Sequence, residues 1–300
     1  MALALFLNPG ADLGASLALA QRGDALGYDS LWVTHGVGRD ALLTLSAYAH
    51  VAPHAGLGTG VIPIYPRHPV LLAQEALTLA EISHGRLRLG IGVSHGPSMA
   101  GGLGLDMGRP LDVMREYVTV LRAALTGKVE HAGARYRASW QSGLPRLPEP
   151  PPILLAGLGP KMLELSGEIA DGVVLWLCTP AYIRDVAVPA IRRGRTRAGK
   201  SLAGFEIVAA VPAALTVERG PGVAHAASRR AADVLAAGWP DRDEGRALCD
   251  EFDDWLRGDG HARNPGATAD LITAALFAAL RDGTIPLPRP AGPHGWSLPS

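Results

Sequence analysis

Gly58-Thr59-Gly60-Val61-Ile62-Pro63-Ile64-Tyr65-Pro66-Arg67-His68-Pro69 is the stretch on which the fold turns. It starts as a buried strand, with glycines interleaved among Val and Ile, and then breaks into three prolines within seven residues. Glycine has no Cβ, so a backbone of this kind lets another group come close. A helix follows at once over Pro69–Ser83 and ends at His84-Gly85-Arg86. A second glycine-spaced strand comes next, Leu87-Arg88-Leu89-Gly90-Ile91-Gly92-Val93-Ser94-His95. Two glycine-rich strand ends one helix apart suggest a cofactor pocket built mainly from backbone.

The same alternation extends in both directions. Before the opening stretch, strand patterns at Ala2–Leu7 and Ser30–Thr34 alternate with helical patterns at Ala15–Leu26 and Ala41–Val51. The stretch itself reads as one strand, Gly56–Ile64, followed by a helix at Val70–Ile82. Strands are then expected at Leu87–Val93, Ile153–Ala156, Val173–Leu177 and Phe205–Leu215. Helices are expected at Leu111–Leu125, Lys161–Ala170, Pro180–Ala198 and Val223–Ala237. Seven βα units in order predict a parallel sheet with covering helices. With 300 residues, a closed (β/α)8 TIM barrel is favoured over an open sheet. The eighth unit is weak: Thr268–Leu280 is a good helix, but Gly283-Thr284-Ile285-Pro286-Leu287-Pro288 is a short strand broken by proline. Residues 130–150 form an excursion between the fourth helix and the fifth strand, and 239–265 an insertion outside the barrel core. Residues 1–300 read as a single domain.

Composition narrows the function classes. The 28 basic residues balance the 28 acidic ones, which leaves no electrostatic footprint for nucleic acid or an anionic membrane. Met1–Asn8 has no basic n-region and reads as a first strand, not a signal peptide. No apolar run approaches the ~18 residues that cross a bilayer, so a soluble, cytoplasmic protein is expected. Cys178 and Cys249 are too few for a disulfide framework. No His-x-x-x-His pair or carboxylate cluster suggests a metal, and no Gly-x-Ser-x-Gly elbow suggests a nucleophile. The reactivity should then come from an organic cofactor.

In such a barrel the chemistry sits at the carboxyl ends of the strands. That rule selects Asn8, Thr34 and His35, Gly60-Val61-Ile62, Ser94-His95, Ala156-Gly157-Leu158-Gly159 and Trp176. Gly157-Leu158-Gly159-Pro160 leaves a strand and opens a helix. Its free N–H groups and the helix dipole suit a phosphate; taken alone the motif reads more plainly as a tight turn that needs glycine, but beside the other two glycine-rich strand ends the phosphate reading is favoured. His35 serves either as a proton donor or as a hydrogen-bond partner of a ring substituent. The plain alternative is a polar residue at a strand–loop junction. His95 has the same two sides: a cofactor contact beside Ser94, or a loop histidine in water. Trp176 either walls a flat ring or packs the rim. His68 is expected to position the start of the helix after Pro69.

Several separated motifs resemble the luciferase-like monooxygenase superfamily. They are Gly27-Tyr28-Asp29-Ser30-Leu31-Trp32-Val33, Leu57-Gly58-Thr59-Gly60-Val61, Pro66-Arg67-His68-Pro69, Gly85–Gly92, Arg115-Glu116-Tyr117 and Ala170-Asp171-Gly172. The match is closest to the branch of actinobacterial oxidoreductases that use the deazaflavin coenzyme F-420. The resemblance implies a (β/α)8 barrel, a homodimer, and FMN or coenzyme F-420 held at the strand ends. It also implies a bulge after the third strand with a non-prolyl cis peptide, here Gly60–Val61. Phosphate contacts would fall to Gly157, Leu158 and Gly159, and further cofactor contacts to Ser94 and His95. Sugar-phosphate dehydrogenases of the superfamily carry an Asp-His pair after the second strand, where this chain has Thr34-His35.

The expected activity is hydride transfer between reduced coenzyme F-420 and an activated C=C or C=N bond of a small molecule, with Thr34 and His35 as the catalytic candidates. One alternative is an FMN-dependent monooxygenase fed by a separate flavin reductase. The other is a non-catalytic barrel acting as a partner subunit.

Overall fold

A computed structural model describes residues 2–36, 38–144, 147–210, 230, 233–234, 236–238 and 242–257. The chain divides into two compact units, Met1–Ala210 and Val211–Ser300. The first unit alternates strands and helices in the order the sequence predicts: β1 Ala4–Leu7, α1 Leu13–Ala25, β2 Ser30–Val33, α2 Ala41–Val51, β3 Gly56–Thr59, β4 Ile62–Pro63, α3 Pro69–Ile82 and β5 Leu87–Gly92. After a π-helical turn at Pro97–Gly102 come α4 Pro110–Leu125, β6 Lys128–Ala132, β7 Arg137–Gln141, β8 Ile153–Ala156, α5 Pro160–Ile169 and β9 Gly172–Trp176. A short α6, Pro180–Tyr182, runs through a π-turn at Ile183–Ala187 into α7 Val188–Arg197, and β10 Glu206–Ala210 follows.

One sheet carries β1-β2-β3-β5-β8-β9-β10 side by side, all parallel, with β4 also on β5. The sheet curls nearly into a closed barrel with helices outside, the arrangement of a luciferase-like (β/α)8 TIM barrel. Odd-numbered strand residues such as Leu31, Leu57, Leu89, Ile91 and Leu155 are fully buried against the helical layer. Phe6, Trp32, Val61, Leu154, Val174 and Val208 form a separate cluster filling the barrel interior. This two-sided burial is why the strands read as nearly continuous apolar runs.

The helix starts follow local chemistry. Asp40 caps α2 by accepting from the Leu43 amide at 3.0 Å. His68 caps α3 by accepting from the Val70 amide at 3.3 Å, with Pro69 in the first turn, as expected.

Two elements differ in detail from the sequence reading. The strand expected at Gly56–Ile64 is split. β3 pairs Leu57 with Leu87 and Gly58 with Arg88, thirty residues apart, whereas β4 pairs Ile62 with Ile91 and Pro63 with Gly92, twenty-nine apart. The change in register is one inserted residue, a β-bulge. The Gly60–Val61 peptide inside it is cis. The excursion expected at 130–150 starts earlier, at Lys128, with an antiparallel hairpin of β6 and β7 that pairs Val129 with Trp140 and Glu130 with Ser139 outside the barrel sheet.

In the second unit, α8 Asp243–Arg257 lies within the expected insertion, and Val234 and Phe252 form a small core with Leu248, Cys249 and Trp255. The predicted helix at Thr268–Leu280 and strand at 283–288 lie outside the described residues, as do 211–215 and most of 223–237.

Candidate active site

The strand ends of the first unit carry the predicted residues on one face of the sheet, and the interior cluster lies in the barrel beneath them. Phe6 stacks on Trp32 with ring centroids 5.6 Å apart, and Trp176 meets the Phe6 edge at 6.1 Å. A Cβ on Gly60 would overlap Phe6, and one on Gly58 would overlap Trp32. The sequence reading gave these glycines to the approach of a ligand. In the structure, aromatic side chains occupy that space, so the glycines make room for the barrel's own filling. Ile62 is fully buried and Val61 points its side chain towards Gly90 and Gly92.

On the β2 side, Thr34 is exposed and His35 is half-buried. His35 Nδ1 accepts from the Ala41 amide at 3.3 Å, and Nε2 lies 3.4 Å from Arg67 Nη1. Arg67 Nη2 pairs with Asp40, and its Nε lies 3.3 Å from Glu75. Burial pushes the His35 pKa down, the Arg67 charge pushes it further, and Asp40, 3.6 Å from Nδ1, opposes them. Burial raises the Glu75 carboxyl, against the attraction of Arg67. Arg67, Asp40 and Glu75 were missed as site residues by the sequence reading. The Pro-Arg-His-Pro run was visible, but only the fold brings Arg67 against His35 across 32 positions.

Opposite lies the β8 end. Gly157 is buried beside Met162, whereas Leu158 and Gly159 are exposed. Gly159 caps α5 without a side-chain hydrogen bond, and Pro160 occupies the first turn. A Cβ on Gly159 would meet nothing within 4 Å, so the turn is open on that side, while the Met162 and Leu163 amides both donate to the Gly159 carbonyl. Tyr182, which sequence reasoning did not single out, donates its hydroxyl to the Leu158 carbonyl and ties this turn to α6. Ala156 is half-buried beside Gly92. Trp176 at the β9 end is 45% exposed and Leu177 54%, leaving apolar surface at the rim.

The remaining candidates sit at their strand ends with simpler surroundings. Asn8 is exposed and its Oδ1 accepts from the Gly10 amide at 3.1 Å. Ser94 has a left-handed φ of 57°, and His95 is exposed, its carbonyl accepting from the amides of Ser98 and Met99. No group of three or more His, Cys, Asp or Glu side chains could hold a metal among the described residues.

Gly157–Gly159 at one strand end, His35 at another and the exposed Trp176 are thus brought to the carboxyl ends of strands in the same sheet. The luciferase-like monooxygenase family model matches residues 3–269. The chain belongs to this family. Among relatives of this family member, 5,10-methylenetetrahydromethanopterin reductase of Methanolobus tindarius is 29% identical over 278 residues, 89% of this chain and 77% of the relative. The reductase of the same name from Archaeoglobus fulgidus is 33% identical over 216 residues, 71% of this chain and 64% of its own length. In structure, the coenzyme F-420-dependent tetrahydromethanopterin reductase from Methanopyrus kandleri superposes with a TM-score of 0.66 at 21% identity, covering 94% of this chain and 90% of that one. The family member is thus related to oxidoreductases and shares their barrel. No helix among the described residues is long and apolar enough to cross a membrane.

Proposed function

We propose that the protein is a coenzyme F-420-dependent oxidoreductase moving a hydride between the reduced deazaflavin and an activated C=C or C=N bond of a small organic substrate. The observation that carries this reading is the 29% identity to a reductase along 89% of the chain. Features of the strand ends support this reading. The turn before α5 is open beside Gly159, and Leu158 and Trp176 leave exposed apolar surface.

In this reading Gly157, Leu158 and Gly159 hold the phosphate through backbone N–H groups. Ala156, Ser94, His95 and Asn8 line the cofactor's course, Gly60-Val61-Ile62 supports the ring from below, and Trp176 walls it. The bound deazaflavin supplies the hydride. The chain's own part is to orient the substrate, exclude water, and present Thr34 and His35 as hydrogen-bonding groups to the reacting atoms. His35 does this uncharged, because burial and Arg67 both disfavour its protonated form. The reading includes a soluble homodimer, to be checked by sedimentation.

Equilibrium titration with coenzyme F-420 and, separately, with FMN tests the proposal. Tight deazaflavin binding and turnover in the absence of oxygen are the expected results. Tight FMN binding without deazaflavin binding would transfer the protein to the monooxygenase reading, with a flavin reductase as its partner.

A further inference from the structure

The β6–β7 hairpin has no part in the proposed site, yet its turn reaches back towards the strand ends. From Glu116 to Leu125, α4 descends ~14 Å, and the five residues of β6 climb back ~16 Å. That return brings residues 133–136 beside Glu116, in the second turn of α4. The Glu116 carboxylate accepts the Arg135 amide at 3.1 Å and the Tyr136 amide at 2.8 Å, and lies 3.3 Å from His131 Nε2. Burial opposes the charge, but these amides hold the Glu116 carboxyl below the usual carboxylate range. A Cβ on Gly133 would overlap the same carboxylate, so the turn closes tightly on it. Fixed in this way, the turn aims Arg135 at the segment after β5. Arg135 Nη2 donates to the Asp106 carbonyl, and Nη1 lies 3.6 Å from Asp106 Oδ2. The guanidinium also stands 5.5 Å from the centroid of the Tyr65 ring, just past β4. From there hydrogen bonds lead back along the segment. The Leu105 amide donates to the Met99 carbonyl at 3.0 Å, and the Met99 amide to the His95 carbonyl at 3.0 Å. Gly104 and Gly108, on either side of Asp106, have left-handed φ of 66° and 53°.

We propose that Arg135 is a positioning residue that, set by Glu116, fixes the segment carrying Ser94 and His95 at the mouth of the barrel. The inference rests on the proposed function, in which Ser94 and His95 line the cofactor's course. It adds an element outside the barrel that decides where they stand. One planar guanidinium meets a carbonyl, a carboxylate and an aromatic face at once, which an ammonium would do less well. Tyr65 belongs to the connection after β4 and Asp106 to the one after β5, so Arg135 joins the connections of two paired strands. The Arg135 side chain is only 28% exposed, so these contacts are screened less than those of an open surface pair. Met99 anchors the same segment in the main core, which leaves the Leu105–Gly108 end to be held by Arg135.

The test is amide hydrogen exchange of the full chain without cofactor, read by mass spectrometry in peptides spanning 94–109 and, for reference, 153–169. Arg135→Met should speed exchange in the first about tenfold, the loss of one charge-assisted bond, and leave the second unchanged. Arg135→Lys can still donate to the Asp106 carbonyl and should restore most of the protection. Glu116→Gln should loosen the same peptides, and should add nothing to them in an Arg135→Met background. It decides the matter if Arg135→Met does not fold. Unchanged exchange in 94–109, an equal rise in both sets of peptides, or an additive effect of Glu116→Gln would each overturn the proposal. Titration with coenzyme F-420 reads the consequence for the site. Affinity should fall about fivefold in Arg135→Met and recover in Arg135→Lys, and a loosened segment with undiminished affinity would also overturn the proposal. Failure of the wild type to bind coenzyme F-420 would sink the functional reading alone, and unchanged exchange the inference alone.

Discussion

The β2–β4 side of the strand-end face and the β8–β9 side are made of different materials. On the first, His35, Asp40, Arg67 and Glu75 hold one another through charge, so the state of each depends on its neighbours. On the second, a glycine-bearing turn leads into a helix start with no side-chain cap, beside the exposed surfaces of Leu158, Trp176 and Leu177. Side-chain chemistry is concentrated where substrate protons and oxygens would be handled. Backbone chemistry is concentrated where a phosphate would be held.

The largest effect should come from a residue that both sides rest on. A Cβ on Gly90 would run into the Thr59 carbonyl and crowd Val61 at 3.1 Å. Gly90→Ala should therefore cost about 3 kcal/mol of stability in urea unfolding and damage both sides together. Loss confined to one side would show that they do not share a floor.

Gly159→Asp sharpens the contrast next. Asp is a good helix cap, so the variant should unfold at slightly higher temperature. Its carboxylate would repel a phosphate at the same amides, weakening cofactor binding about tenfold, or ~1.4 kcal/mol. Unchanged affinity would remove the phosphate from this side. Tyr182→Phe deletes the hydroxyl that holds the Leu158 carbonyl. A loss of about 1 kcal/mol in stability is expected, with a modest fall in cofactor affinity and no change in His35 titration. A shifted His35 midpoint would mean the sides are coupled.

The smallest effect concerns acid. The folded pKa of His35 lies below its unfolded value near 6.5. The unfolded chain therefore binds the proton more tightly, and stability falls as pH drops below about 6.5 towards the folded value. His35→Gln removes that contribution. Unfolding midpoints compared between pH 7.5 and 5 should fall less in the variant than in the wild type. Equal falls would mean that burial and Arg67 do not depress the group.

Much of this fold is legible in the chain because its signals are local. Ala41–Val51 and Ile153–Ala156 have the bounds the patterns predict. Pro69 and Pro160 announce their helices because a missing N–H is harmless in a first turn. The β6–β7 hairpin was passed over as an excursion. Its alternation of Val129, His131, Ala138 and Trp140 around Gly133 was available, but two short polar strands away from the main sheet carry little apolar contrast. The strand-end rule selected His35 and Gly157–Gly159 as candidates without coordinates, and they do follow β2 and β8. Arg67 and Tyr182 could not be found that way, since their partners are 32 and 24 residues distant.

By itself the sequence determined the succession of strands and helices, the strand ends proposed to bear the chemistry, and the Gly60–Val61 bond at the bulge, through resemblance. Each rests on short-range periodicity or on a contiguous motif. Tertiary structure alone decided which groups fill the space beside Gly58 and Gly60, and that the ring of His35 stands between an amide and a guanidinium. Packing across the barrel and the charge on an imidazole are set by what surrounds them in space, and neighbours in space are not neighbours along the chain.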